Sequence, residues 1–192
     1  MKYMQNGGFQ NNPLMRLTLG LTLALLLGLW VTNFAMYFVR MDLSSSSVVA
    51  YYNGSEEDFR PPRSAASMLE TTHMHLPMMG MVLLFLTHLL IFVPLERGVK
   101  VGLILTAFAG AGLQEAGGWL VRFVHPGLAP TKIAGFILLQ TTLGIVLLLL
   151  SVVLVRAALQ SQKKRDTPAL EPEADQLSGD TRIATPSATS RA

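Results

Sequence analysis

The chain has 192 residues, of which 51% are hydrophobic and only 14% are charged, and its formal net charge is +3. A soluble domain carries roughly a quarter charged residues, so this composition indicates a membrane protein. The absence of cysteine excludes disulfides, thiolate metal sites, iron–sulfur clusters and covalently attached c-type haem. No basic stripe carries interleaved aromatic residues, so we expect no nucleic-acid partner.

Four long apolar stretches predict four transmembrane helices. The first, from Leu17 to Val39, carries no charged residue and exceeds the roughly 20 residues that a helix needs to cross a bilayer. We expect a flexible lead over 1–12, and the composition after the last stretch predicts a disordered tail over 158–192. The predicted fold is an all-α membrane protein with a four-transmembrane-helix bundle over 13–157. Its helices are placed at about 14–40, 66–93, 101–124 and 131–155.

The connections and the small residues give further expectations. In the outer loop, over 41–65, a serine run followed by Asn53-Gly54 predicts a short helix with a glycine stop. Small residues recur every four positions from Gly20 to Gly28, a spacing that lets helices approach closely. The third long helix is rich in Gly and Ala, which predicts that it packs inside the bundle.

The distribution of Lys and Arg predicts how the chain is oriented in the membrane. Eight of these residues fall in the N-terminal lead, the second loop and the proximal C-terminal tail, and five fall in or near the first and third loops. Cytoplasmic loops carry the excess of Lys and Arg. We therefore expect both termini, and the tail, on the cytoplasmic side.

Three of the four histidines, His73, His75 and His88, lie in the second long helix, where Glu70 precedes them. Ionisable groups inside a membrane span are costly, so their first interpretation is a functional site. From the helical rise of about 1.5 Å per residue, several polar residues of different helices should share one depth. We expect them to converge in one outward-facing layer: Asn33, Glu70, His73, His75, Glu115 and Arg122.

The angular positions on this helix divide the histidines. At about 100° per residue, Glu70 and His88 share a stripe with His73 on its flank, and His75 points nearly the opposite way. Pro77 disrupts the helical hydrogen bonding, so a kink there would bring His75 toward the same site. Glu115 and Arg122 also have a purely structural interpretation, in which the two charges neutralise each other.

Three kinds of ligand fit the cluster, and the sequence leaves them open. Haem b held by two histidines needs them on facing helices at one depth, but His73 and His88 are about 22 Å apart along one helix. His73 or His75 would have to pair with His125, and His88 with a second copy or another subunit. A transition metal such as iron, zinc or manganese would use mixed nitrogen and oxygen ligands from His73, His75, Glu70 and Glu115. A quinone would be bound by a His–carboxylate pair that passes protons to the outer face.

Several sequence stretches resemble a family of small four-helix bacterial inner-membrane proteins found near respiratory and electron-transfer components. The resemblance covers roughly residues 17–157, and position 125, a histidine here, is where that family has a small residue. It implies that Glu70, His73, His75, His88 and Arg122 form the family's polar signature, and it supplies no reaction. The stretches are Tyr51-Tyr52-x-Gly-Ser-Glu-Glu, Ser67-x-Leu69-Glu70-Thr71-Thr72-His73-x-His75-Leu76, Thr87-His88-Leu89 and Trp119-Leu120-Val121-Arg122-Phe123-Val124-x-Pro126.

The leading hypothesis is a multi-pass protein of the bacterial inner (cytoplasmic) membrane that takes part in electron transfer. It would bind haem b, a metal ion or a quinone in the His/Glu cluster and assemble as a homo-oligomer or with electron-transfer subunits. The alternative is a non-catalytic assembly, anchoring or sensing subunit that uses the polar layer to dock helices or to report pH or metal. No nucleophile motif or phosphate loop is present, so we do not expect a classical soluble-type enzyme. Whether the protein is an enzyme stays open.

Overall fold

The computed structural model describes residues 12–57 and 59–166, and this part of the chain is helical apart from its connections. The predicted all-helical architecture is confirmed, while residues 1–11 of the predicted lead and 167–192 of the predicted tail lie outside the described residues. A π-helical turn over Leu120–Val124 and a 3-10 turn over Pro126–Leu128 join the last two helices. The helices are α1 (Pro13–Arg40), α2 (Ser45–Asn53), α3 (Ala65–Ile91), α4 (Arg97–Trp119) and α5 (Ala129–Asp166).

Side-chain caps determine where the first three helices begin. The carboxamide oxygen of Asn12 accepts a first-turn backbone N–H at 3.0 Å, and Pro13 follows at the first helical position. The hydroxyls of Ser44 and Ser64 each accept a backbone N–H at 3.2 Å and so cap α2 and α3. Gly54 ends α2 with a φ of 86°, which favours glycine, so the predicted short helix with a glycine stop is confirmed.

Three segments are long and apolar enough to cross a membrane: Pro13–Arg40, Ala65–Ile91 and Pro126–Gln160. The described chain therefore has the helices of a multi-pass membrane protein. α4 has a comparable length of 23 residues, but Gln114, Glu115 and its many small residues make it less apolar. Its crossing of the membrane stays a prediction, as does the count of four spans.

α4 and α5 form the most extensive helix pair of the bundle, and glycines allow their close approach. A Cβ atom at Gly110 would stand 2.7 Å from the backbone nitrogen of Leu139, and one at Gly117 would stand 2.7 Å from the Cα of Lys132. Both positions therefore exclude any larger residue unless the helices move apart. α4 therefore packs along its glycine face, but Leu105 and Phe108 on its other side are exposed, so the expectation that this helix packs inside the bundle holds for one face only.

α1 contacts α5 through aromatic residues. The indole N–H of Trp30 donates to the carbonyl of Gln140 at 2.9 Å, and Tyr37 stacks on Phe136 with ring centroids 3.7 Å apart. At Gly28, no described atom of another helix lies within 4 Å of where a Cβ would stand. The predicted close approach along the small-residue face of α1 is therefore wrong at Gly28, because α1 packs on α5 through Trp30 and Tyr37 and Gly28 is exposed on another side of the helix.

α5 continues to Asp166, well past the predicted end at about 155. Residues 158–166, which composition assigned to the tail, are therefore helical. Ala, Leu, Gln and Lys are good helix formers, and extending a helix that packing already holds costs little. Arg16 of α1 also donates to the carbonyl of Ala157 at 3.3 Å, which ties this part of α5 to the bundle.

Candidate functional site

A polar layer lies inside the bundle, toward the end where α2 packs. We define the polar layer as five residues from four helices: Asn33 of α1, His75 of α3, Gln114 and Glu115 of α4, and Lys132 of α5. All five line two cavities, which lie on opposite sides of the layer. The layer is thus the place where the polar and the apolar interior of the bundle meet.

The two cavities differ in character. The apolar cavity has a volume of about 310 Å³ and extends from the polar layer into the bundle between residues such as Trp30, Leu86 and Leu143. The vestibule has a volume of about 190 Å³ and lies on the α2 side, where its lining includes Arg40, Tyr51, Tyr52 and Arg63. Burial raises the pKa of the Tyr52 phenol far above its ordinary value, so this side chain contributes no negative charge to the vestibule.

Glu115 is the centre of a hydrogen-bonded chain between α3 and α4. The hydroxyl of Thr72 donates to one carboxylate oxygen, and the indole N–H of Trp119 donates to that hydroxyl at 2.9 Å. The other carboxylate oxygen lies 3.4 Å from Nδ1 of His75. Glu115 is only 14% exposed while His75 is 55% exposed, so the imidazole connects a largely buried carboxylate to the exterior of the bundle.

Lys132 places a buried cation beside this carboxylate. The residue is 8% exposed, and its ammonium donates to the carbonyl of Gln114 at 2.6 Å. The close α4–α5 approach at Gly117 brings the Lys132 backbone against α4 and so carries its side chain into the layer. An ammonium has three N–H donors, so two remain for other partners.

Two glutamine side chains contribute acceptors without a partner. The amide oxygens of Gln114 and Gln140 are buried, and neither accepts a hydrogen bond from any group in the described part of the chain. An unsatisfied buried acceptor costs about 1–3 kcal/mol, so such atoms call for a donor. Both residues line the apolar cavity, and a rotation of either amide would turn its oxygen toward a molecule bound there.

The structure brings together only part of the predicted layer. Asn33, His75 and Glu115 converge, but Glu70 and His73 are exposed on the outer surface of α3. The predicted stripe that joins Glu70 and His88 does exist, and it faces away from the bundle. α3 packs through Met68, Thr72 and Leu86 instead, and this face includes His75. The expectation that His73 and Glu70 converge in one layer with Asn33, His75 and Glu115 is therefore wrong.

The other predicted residues have local partners. His88 is exposed and meets Phe92 edge to face, with ring centroids 5.5 Å apart. Nδ1 of His125 accepts the backbone N–H of Gly127 at 3.0 Å, so this imidazole caps the 3-10 turn. Arg122 lies on the π-helical turn, where its Nε donates to the carbonyl of Arg63 at 2.9 Å and fastens the outer loop to the end of α4.

These positions bear directly on the proposed ligand sets. No group of three or more His, Cys, Asp or Glu side chains that could hold a metal ion occurs in the described residues. The set His73, His75, Glu70 and Glu115 is divided between the exterior and the interior of the bundle, with only His75 and Glu115 in contact. Of the four histidines, His75 alone belongs to the polar layer, so haem ligation by a second imidazole would need another protein chain.

Sequence reasoning missed Lys132, Gln114, Gln140 and Thr72 as members of the site. Lys132 was counted only for membrane topology, although a lysine followed by a long apolar helix is itself a signal of an intramembrane site. The uncharged residues Gln114, Gln140 and Thr72 were harder to predict as site residues, because Gln and Thr in a membrane helix often form hydrogen bonds within the bundle. Only the packing of the helices reveals that Thr72 lines the vestibule, that Gln140 lines the apolar cavity and that Gln114 lines both.

Comparison with known proteins agrees with the helical membrane architecture. The family model Aq_1264_TM, described as a transmembrane helical domain, matches residues 42–164. The match begins after α1 and includes four of the five polar-layer residues, all except Asn33. No curated protein and no solved structure matches the chain. Since the matched segment exceeds half of the sequence, the chain belongs to the Aq_1264_TM family of transmembrane helical domains.

Proposed function

We propose that this protein is a redox-associated component of a bacterial inner membrane that binds a quinone-class molecule in the apolar cavity. The observation that carries the proposal is the His75–Glu115 contact at the head of that cavity. There a pair that can exchange protons meets an apolar space of about 310 Å³, within the range of roughly 300–1,000 Å³ of small-molecule sites.

The groups around the cavity complement both oxidation states of a quinone. The oxidised ring offers a carbonyl acceptor on each side, and Lys132 retains N–H donors for one of them beside its bond to Gln114. The reduced ring offers two hydroxyl donors, and the amide oxygens of Gln114 and Gln140 are acceptors without a partner. The apolar walls suit the ring and the beginning of an isoprenoid tail.

His75 and Glu115 supply the proton positions in this proposal. Reduction of a quinone takes up two protons and two electrons, and the electrons would come from a partner redox protein. In reduction, the exposed imidazole of His75 takes each proton from the exterior and passes it from Nδ1 to Glu115, 3.4 Å away, which delivers it to the quinone. Oxidation of the quinol would release protons along the same path in reverse. The Lys and Arg bias orients this end toward the outer side, with both termini in the cytoplasm.

The same geometry favours a quinone over haem b or a transition metal. Haem b with two histidine ligands needs two opposed imidazoles, and a metal ion needs three or more ligands around one point. The polar layer offers one imidazole and one carboxylate, with a buried ammonium nearby that would repel a metal cation.

The test uses the two tryptophans of the chain as built-in probes, since Trp30 lines the apolar cavity and Trp119 lines the vestibule. Protein in lipid nanodiscs would be titrated with a short-chain ubiquinone analogue while the fluorescence of a Trp119→Phe variant is recorded. We expect saturable quenching of Trp30. His75→Ala and Glu115→Gln should each weaken the apparent affinity by about tenfold, the effect of losing one charge-assisted hydrogen bond.

His73→Ala is the matched control, because His73 lies two residues from His75 on the exposed surface of α3. This variant should bind the quinone analogue as the parent does. Quenching that rises linearly without saturation, or equal losses in His73→Ala and His75→Ala, would contradict the proposal. Absence of quinone from an organic extract of the purified protein would weigh against it as well.

A second candidate function is a non-catalytic anchoring subunit. The observation in its favour is an open apolar groove between α4 and α5, with Gly102, Thr106, Ile137 and Thr141 on its walls. A Cβ at Gly102 would meet no described atom within 4 Å, so a helix of a partner has room there. Gly102→Leu should then abolish co-purification of a membrane partner while leaving quinone quenching unchanged.

A further inference from the structure

The vestibule has an excess of positive charge that its own walls do not neutralise. Arg40, Arg63 and Lys132 line it, and Glu115 is the carboxylate among its lining residues. With His75 neutral, the sum is two positive charges. Within the described residues, the carboxylate of Glu115 contacts Nδ1 of His75 at 3.4 Å, and no ion pair within 4.0 Å joins a carboxylate to Arg40, Arg63 or Lys132.

Neutral groups hold two of these cations in place. The guanidinium of Arg63 donates to the hydroxyls of Tyr51 and Ser67, and it stacks over the Tyr51 ring at 5.2 Å from the centroid. The ammonium of Lys132 donates to the carbonyl of Gln114. Neutral acceptors fix the direction of a cation without cancelling its charge, which is the arrangement that favours an anion nearby.

The burial of Lys132 makes an unpaired positive charge in the vestibule energetically costly. Lys132 is only 8% exposed, and a buried charge is stable chiefly when it is paired. The vestibule volume of about 190 Å³ exceeds that of several water molecules, at roughly 30 Å³ each, so an ion with ordered water fits. An anion of charge between −1 and −2 would balance the lining.

We infer that the vestibule binds a phosphate-type anion, held by Arg40, Arg63 and Lys132. The anion is either the headgroup of an anionic phospholipid or free phosphate, because both present the same oxygens to the same cations. This inference concerns the α2 side of the polar layer and does not depend on quinone binding in the apolar cavity.

The experiment follows Trp119, which lines the vestibule, in a Trp30→Phe background. In one arm, protein in an uncharged maltoside detergent is titrated with inorganic phosphate against chloride at constant ionic strength. In the other arm, the protein is compared in nanodiscs of phosphatidylcholine with and without phosphatidylglycerol. We expect a saturable fluorescence change and a higher Tm. A response to free phosphate identifies a soluble anion, and a response to phosphatidylglycerol alone identifies a lipid.

Variants that remove one positive charge test whether the response to the anion comes from the vestibule. Arg63→Gln should weaken the apparent affinity by about tenfold, as expected for the loss of one charge-assisted hydrogen bond. Because Arg63 also holds Tyr51 and Ser67, the exposed Arg40→Gln provides a variant with less effect on folding and should weaken binding in the same direction. The matched control is Arg97→Gln, an exposed arginine at the start of α4, at the opposite end of the bundle.

The inference is overturned if neither phosphate nor phosphatidylglycerol gives a saturable change. It is also overturned if Arg40→Gln and Arg63→Gln bind the anion as tightly as Arg97→Gln does. No quinone is present in either arm, so these outcomes leave the quinone test unaffected.

Discussion

At the scale of single residues, the sequence predicted which side chains of α3 share a stripe but not which stripe faces inward. Helical angle correctly separates His75 from Glu70 and His88. α3 is apolar on all sides, however, so no polar face indicates the direction of the bundle. The inward face is chosen by contacts with α4, where Thr72 and His75 meet Glu115. These contacts join residues about 40 positions apart in the sequence. The helical periodicity of the sequence does not reveal such pairs.

Thr72 tests whether this hydrogen-bonded chain stabilises the site. Thr72→Val keeps the shape but leaves Glu115 and the Trp119 indole without a shared hydroxyl. We expect a loss of about 1–3 kcal/mol in the free energy of unfolding, the cost of unsatisfied buried polar groups. The measurement is an unfolding titration in mixed micelles, followed by circular dichroism.

The neighbouring threonine supplies the control for this prediction. The hydroxyl of Thr71 donates to the carbonyl of Ser67 within α3 itself, at 2.9 Å. Thr71→Val therefore removes only a local bond and should change the free energy of unfolding by less than about 1 kcal/mol. Equal losses in Thr71→Val and Thr72→Val would show that the contact with Glu115 contributes nothing.

At the scale of helices, the glycines of α4 fall into two groups with different roles. Composition predicted a helix packed inside the bundle, whereas α4 packs closely on α5 along one face and exposes the other. Composition did not reveal which glycines make the contact, because Gly102, Gly112 and Gly117 look alike in sequence. Only Gly110 and Gly117 lie against the α5 backbone, and Gly118 lies against the Tyr52 ring.

Substitutions at Gly117 and Gly112 distinguish the effect of a clash with α5 from the effect of alanine on the stability of the helix itself. A Cβ at Gly117 would stand 2.7 Å from the Lys132 Cα, and backbone atoms of a packed helix do not yield cheaply. Gly117→Ala should therefore cost about 1–3 kcal/mol, as overpacking does, and displace Lys132 from the polar layer. The same unfolding titration measures the loss, and the Trp30 quenching assay measures the displacement.

Gly112→Ala is the matched change on the same helix, since no described atom lies within 4 Å of its Cβ position. Replacing a helical glycine by alanine where space is free favours the helix by up to about 1 kcal/mol. We expect this variant to be as stable as the parent or more stable. A loss comparable to that of Gly117→Ala would mean that α4 does not tolerate alanine for reasons unrelated to α5.

At the scale of the whole molecule, sequence predicted the order of the helices well because long charge-free runs leave few alternatives. It predicted their ends less well. α5 runs to Asp166 because helix-forming residues extend a packed helix past the apolar run. The contacts of α1 were also hidden, since the rings of Trp30 and Tyr37 meet α5 while Gly28 is exposed. The polar layer depends on all four long helices, so its composition emerges only when they are assembled.

The orientation of the assembled bundle is directly testable because the chain contains no native cysteine. Ser45→Cys places one thiol at the exposed start of α2, and Gly98→Cys places one at the exposed start of α4, where a Cβ meets no described atom within 4 Å. The Lys and Arg bias predicts that a membrane-impermeant maleimide labels the α2 cysteine in intact spheroplasts. The α4 cysteine should react only after permeabilisation, because the positively charged loop faces the cytoplasm. If the two accessibilities are reversed, the polar layer lies toward the cytoplasm, and a quinone bound there would exchange its protons with that side through His75.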